Sequence, residues 1–334
     1  MEACHSPEQS NVISYAATTE AIVTLEALAG MWINAFIVSV TCMAWVKKKI
    51  LNSNEKILLF LGSSRFCYLC ISWVYSLFLI FYPNYLYVYP IFQLLASARS
   101  FFKCSNLWLS ASLCVFYCIK IANFRNSFFI YLKVKIDRIV PCLLLGSVLF
   151  SLVIGTTVYD IMDKALINNL NFTCQGRILK ASIRIDQHFS PHYFIIGVGY
   201  ATSFTTVILS ALLLLFSLWR HKRNMQTNSM KDLSMDAHIK AMKSILSFFI
   251  MYSINFICLI LTLIYSMKNE SDLIFLIYLI QYTFPGLHSL VLIFSNPNLE
   301  KRLLGILPCV KCKVFLKREL LENPEPLHNA DISL

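Results

Sequence analysis

The sequence predicts an all-α membrane protein: a seven-transmembrane-helix bundle with its N-terminus outside and its C-terminus inside. Three observations predict it. Hydrophobic residues make up 57% of the 334 and charged residues only 14%, against about 25% charged in soluble domains. Seven stretches reach the roughly 20 apolar residues that a membrane helix needs. Lys and Arg gather in alternate loops. Mean hydropathy is +0.63, so a soluble fold would leave a large apolar area facing water. That excludes a disordered chain or a coiled coil and argues against a soluble enzyme. The net charge of +11 is diluted among Leu, Ile and Phe, and points to membrane lipid as partner rather than nucleic acid.

The first span, about 21–46, ends at Lys47, Lys48 and Lys49. MEACHSPEQS ahead of it lacks a basic n-region, so an uncleaved signal anchor is expected. The second, about 57–81, begins just after Lys56. The third, about 100–122, runs out at Lys120 and precedes Arg125. The fourth, about 139–159, starts beyond Lys133, Lys135 and Arg138. The fifth, about 192–219, stops at Arg220, with Lys222 and Arg223 following. The sixth, about 241–266, is entered through Lys231, Lys240 and Lys243. The seventh, about 273–295, contains Pro285 and leads into a tail with Lys301, Arg302, Lys311, Lys313, Lys317 and Arg318.

These cation groups share one side of the membrane, and by the positive-inside rule that side is the cytoplasm. The opposite side carries Arg99, Lys103, Lys164, Arg177, Lys180, Arg184 and Lys268. The Asn-X-Ser/Thr sequons at Asn171 and Asn269 both fall on that outer side, where glycosylation is possible. The organisation expected is an extracellular N-terminus (1–20), the bundle (21–295) and a cytoplasmic tail (296–334). The 12 cysteines are scattered, and Cys42, Cys67, Cys70, Cys114, Cys118, Cys142 and Cys258 fall in apolar runs as small hydrophobes rather than as a disulfide scaffold. Cys309 and Cys312 form a CxxC, but no second pair follows to complete a zinc site, and no cofactor is implied.

Ionisable groups deep in a bilayer are costly and usually functional. Arg65 sits within the second span, ~13 Å from its inner end at about 1.5 Å per residue. Asn34 lies at similar depth in the first span. In the seventh, Pro285 removes an N–H and frees the carbonyl of Gln281, with His288 and Ser289 just beyond. Asn34, Arg65 and Ser289 are expected to form a polar knot joining spans one, two and seven. Trp108 lies ~12 Å below the outer surface, on one face of the third span with Ser112. Tyr278, Gln281 and Tyr282 occupy a comparable depth in the seventh, and Asn255 the middle of the sixth. An aromatic with a few polar groups at one depth suits a small-molecule pocket.

Several strings along the chain resemble those of the bitter taste receptors, the type 2 taste receptor family of seven-helix G-protein-coupled receptors. Asn34-Ala35-Phe36-Ile37 is similar to N-G-F-I, with Ala35 in place of Gly. Trp45-Val46-Lys47 through Ser64-Arg65 resembles W-V-K…S-R. The run from Leu113 to Phe124 is similar to L-S-x-F-Y-x-L-K-I-A-N-F. Ser217-Leu218-Trp219-Arg220-His221 with Met225 resembles S-L-x-R-H-x-x-x-M. Asp236-Ala237-His238, Ala241, Lys243, Ser247-Phe248 and Tyr252 resemble the start of the family's sixth helix. Pro285-Gly286-Leu287-His288-Ser289 resembles P-x-x-H-S, closed by Asn296.

The resemblance implies a plasma-membrane receptor. It would bind bitter small-molecule agonists from outside and activate a gustducin-type heterotrimeric G protein inside. Trp108 falls on the family's ligand-contacting Trp. Ser112 stands where many members carry Asn, and Tyr278 where some carry Glu. Asn171 fits the family's glycosylation site. Other receptors of this architecture often tie the third helix to the second outer loop by a disulfide. This family generally lacks it, though Cys104 and Cys174 are available. Lys120, Arg220, His221, Lys240 and Lys243, at the inner ends of helices three, five and six, would face the G protein. A multi-pass transporter or channel is the alternative, but it calls for paired ionisable groups across several helices, and Arg65, Glu26 and His288 do not pair obviously. For an enzyme, no HExxH, GxSxG or Walker loop is present.

Overall fold

The computed structural model describes residues 7–86, 88–122, 126–172, 190–227, 246–261 and 272–306. Among these every regular element is helical. The elements are α1 (Pro7–Lys48), α2 (Ser53–Phe81), the short α3 (Pro83–Leu86), α4 (Ile91–Ile121), α5 (Ser127–Phe172), α6 (Ser190–Thr227), α7 (Leu246–Leu261), α8 (Asp272–Ser295) and α9 (Pro297–Ile306). Among the described residues, five stretches are long and apolar enough to cross a membrane: Glu20–Lys48, Ser53–Phe81, Ile91–Ile121, Ser127–Lys164 and Gly197–Ser217. Leu246–Leu261 and Leu279–Ser295 add two shorter apolar helices. This is a multi-pass helical membrane protein.

Several helices overrun the apolar spans. Helix α1 starts at Pro7 rather than near 21, α4 at Ile91 rather than near 100, and α5 runs from Ser127 to Phe172 rather than over 139–159. Intrahelical hydrogen bonds do not need an apolar side chain at every position, so a helix continues past the hydrophobic stretch. The shift at α4 matters most, because it puts Lys103 well inside a helix and not at its outer edge. The tail assigned to 296–334 opens with α9, where the Asn298 N–H donates to Asn296 Oδ1 at 3.1 Å and Pro297 takes a first-turn position that needs no N–H.

Polarity runs opposite to that of a water-soluble protein. Trp32 is 80% exposed and Val134 78%, while Arg65, Asn34, Ser72, Gln93, His288 and Ser289 are at 0%. Apolar side chains facing out require lipid, and buried polar groups require partners within the bundle. Helix α4 is the axis of the 1–291 unit: 72% of its apolar stretch is buried, against 28% for α1, and it packs on α2, α5 and α6. Ser97 Oγ in α4 donates to the Gly155 carbonyl of α5 at 2.8 Å. Helices α1 and α8 meet through glycines. A Cβ added at Gly286 would lie 3.3 Å from the Gly30 Cα, a backbone approach that only small residues permit.

Candidate functional site

Arg65, fully buried in the middle of α2, sits at the crossing of four helices. Its Nε donates to Asn106 Oδ1 at 2.9 Å, Nη1 to Ser289 Oγ at 2.8 Å and Nη2 to Ser110 Oγ at 3.1 Å. Nη2 also bonds His288 Nδ1. Ser289 Oγ in turn donates to Asn34 Oδ1 at 2.7 Å, and Asn34 Nδ2 to the Gly30 carbonyl at 2.8 Å. Ser289 thus stands between Arg65 and Asn34. The guanidinium takes Ser289 and His288 from α8, with no bond to the Gln281 carbonyl that Pro285 frees. A guanidinium only donates, so His288 Nδ1 must accept and the ring proton belongs on Nε2. That Nε2 is buried without a hydrogen-bond partner, between the rings of Phe248 (centroids 4.4 Å) and Phe284 (5.6 Å).

Sequence reasoning missed Asn106, Ser110 and His288 as partners. The first two sit at i, i+4 on α4, a spacing that puts both on one face, and they supply the link from α2 to the axis.

The residues expected at the pocket divide among several neighbours. Trp108 lies edge-on to Phe150 of α5 with centroids 5.2 Å apart, and its Nε1 is buried without a partner. Ser112 Oγ is 3.3 Å from Ser147 Oγ, also on α5. On α8, Gln281 and Tyr282 are consecutive, about 100° apart, and turn to different helices. Gln281 Nε2 donates to the Cys258 carbonyl of α7 at 3.1 Å, and its Oε1 accepts from Lys103 Nζ of α4 at 2.8 Å. Tyr282 Oη donates to the Ser72 carbonyl of α2 at 2.7 Å. Asn255 is buried in α7. Tyr278 belongs to α8, but its side chain lies outside the described residues. Between α6 and α7, Phe204 stacks on Phe256 at 3.9 Å, and Tyr252 Oη reaches the Leu107 carbonyl at 3.3 Å.

At the other end of α4, Lys120 is exposed, 3.9 Å from Asp137 and 5.1 Å from the Phe116 ring centroid. With Lys56, Tyr117 and Asp137 it lines a cavity of about 710 Å³, and Tyr117 Oη donates there to Asn54 Oδ1 at 3.1 Å. Arg220 is exposed near the end of α6, and His221 follows it in the helix. Lys240, Lys243, Asn269 and Cys174 lie outside the described residues. Asn171 falls in the last turn of α5. Cys104 is buried as a free thiol.

Apolar helices facing outward around a buried cationic node define a multi-pass membrane protein. The family profile described as Taste receptor protein (TAS2R) matches residues 14–311. Among curated relatives, mouse (Mus musculus) taste receptor type 2 member 114 is 33% identical over 296 residues, covering 86% of this chain and 93% of the relative. Human (Homo sapiens) member 9 is 30% identical over 299 residues, covering 88% and 93%. Chicken (Gallus gallus) member 40 is 34% identical over 303 residues, covering 87% and 96%. The chain belongs to the type 2 taste receptor family.

Proposed function

We propose that this chain is a seven-helix plasma-membrane receptor, not an enzyme, that detects bitter small molecules from outside and activates a gustducin-type heterotrimeric G protein inside. The observation that carries the reading is family membership across residues 14–311. In this reading the N-terminal 1–20 is extracellular, 21–295 forms the bundle and 296–334 is cytoplasmic. Alternate clustering of Lys and Arg supports that orientation.

The mechanism is a population shift. An agonist does work only by binding the active arrangement more tightly than the resting one. Trp108 offers a large aromatic surface and an N–H that is buried without a partner, and in this reading Ser112, Asn255, Tyr278, Gln281 and Tyr282 supply further ligand contacts. The Arg65 node ties α1, α2, α4 and α8 by polar bonds that must be kept or exchanged together, because a bare polar group in hydrocarbon is expensive. A small displacement of α4 or α8 by ligand therefore changes the packing of all four helices. Lys120 and Arg220, with His221, Lys240 and Lys243, present the G-protein face. The test is a calcium or G-protein readout in transfected cells against a panel of bitter compounds. Responses to some members are expected. Solute uptake without any such response would overturn the reading.

A further inference from the structure

Lys103 is the second deep cation of the bundle, and the receptor mechanism above does not use it. It lies in α4 one turn below Arg99, whose guanidinium carbon is 5.2 Å from the Tyr75 ring centroid of α2. Both cations thus turn toward neighbouring helices and not simply outward to solvent. The Lys103 ammonium donates to Gln281 Oε1 at 2.8 Å, a neutral acceptor whose own amide is held by the Cys258 carbonyl. An ammonium has three donors. Among the described residues no carboxylate pairs with it. The residue is half-buried, so part of it borders accessible space. Five residues deeper, about 7.5 Å along the same helix, the Trp108 Nε1–H is buried and unpartnered.

Most of the chain's cations gather on the other side, so topology does not account for a lysine here that has no carboxylate partner among the described residues, and holding one inside a bundle is costly. An ammonium held by a neutral amide is suited to pair with an anion. We propose that Lys103 is the counter-ion for an anionic ligand, and that the chain's agonists include aromatic carboxylates or sulfonates whose acid group pairs with the ammonium. The ligand displaces or shares the Gln281 contact, and its ring reaches to the depth of Trp108. This rests on the receptor reading and names the ligand class of that same site.

The test uses the full-length protein purified in detergent and a set of aromatic carboxylates and sulfonates, each paired with its neutral carboxamide or sulfonamide. Binding is read by thermal-shift titration, apart from signalling. The acid is expected to bind at least about tenfold more tightly than its neutral partner, the equivalent of one charge-assisted hydrogen bond. Lys103→Gln should erase the difference and Lys103→Arg keep it. Gln281→Glu covers the case in which Lys103→Gln fails to fold. It supplies an internal carboxylate, and should abolish the preference for each acid over its neutral partner. Equal binding of acids and neutral partners, or a preference that survives Lys103→Gln or Gln281→Glu, would overturn the proposal. G-protein activation measured in parallel separates the two readings. Lys103-dependent binding without signalling removes the receptor function and leaves the anion site. Signalling by neutral ligands alone does the reverse.

Discussion

Arg65 has its Nε and both Nη groups committed to partners on α4 and α8, and hydrogen bonds to a charged group are worth about 1.5–3 kcal/mol each. Arg65→Ala would take the donor from Asn106, Ser110 and His288 in a dry interior at once and leave Ser289 only its bond to Asn34. We expect a marked drop in surface level or a large change in potency and basal signalling, greater than for removal of any single loop cation. Arg65→Lys should rescue only partly, because a point charge cannot make a forked set of contacts. Asn34→Ala should be non-additive with it, since Ser289 links the two side chains. Surface labelling and dose–response curves check all three. Trp108→Ala is expected to weaken agonist response roughly thirtyfold, about 2 kcal/mol, with near-normal surface level. Unchanged curves for several unrelated agonists would move the pocket elsewhere.

The sequence marked Arg65, because a lone Arg in an apolar run has no bland explanation. It did not mark Asn106 or Ser110, because Ser and Asn are ordinary in membrane helices and only the packing says which face they turn. Lys103 was not marked as a contact of α8 for a different reason. An apolar-run criterion starts the span at about 100 whereas hydrogen bonding starts the helix at Ile91, and periodicity does not show which face of that helix meets α8.

Among the elements, α1 and α8 depend on two glycines. Gly286→Val would push a side chain against the Gly30 backbone, and overpacking of this kind costs about 1–3 kcal/mol. A several-fold loss of correctly folded receptor is expected. Gly146→Val is the control, since a Cβ there meets nothing within 4 Å. Comparable ligand-stabilised thermal unfolding of both variants would show that the α1–α8 approach is dispensable. The glycine in the P-x-x-H-S-like string was legible, but its partner was not, because Gly30 stands 256 positions away and periodicity carries no information on which faces meet. The apolar spans themselves were plain, since lipid demands a continuous run. Their ends were not, since outside hydrocarbon a helix is no longer bound to that run.

For the molecule as a whole, the proposed orientation makes Asn171 lumenal during synthesis. Asn171→Gln is expected to remove a glycan and slow delivery to the surface, read as a glycosidase-sensitive gel shift present in the normal protein and absent in the variant. Accessibility of residues 160–190 only from the cytosol would invert the orientation. The central claim is that ligand binding on one side of this bundle drives G-protein activation on the other through the Arg65 node. Its most direct test is nucleotide exchange on a purified gustducin-type heterotrimer, with the full-length receptor in lipid and a panel of bitter compounds. Exchange should accelerate with agonist for the normal receptor, and the acceleration should be lost or become agonist-independent in Arg65→Ala that reaches the membrane. No acceleration by any compound, or an unaltered response in Arg65→Ala, would contradict it.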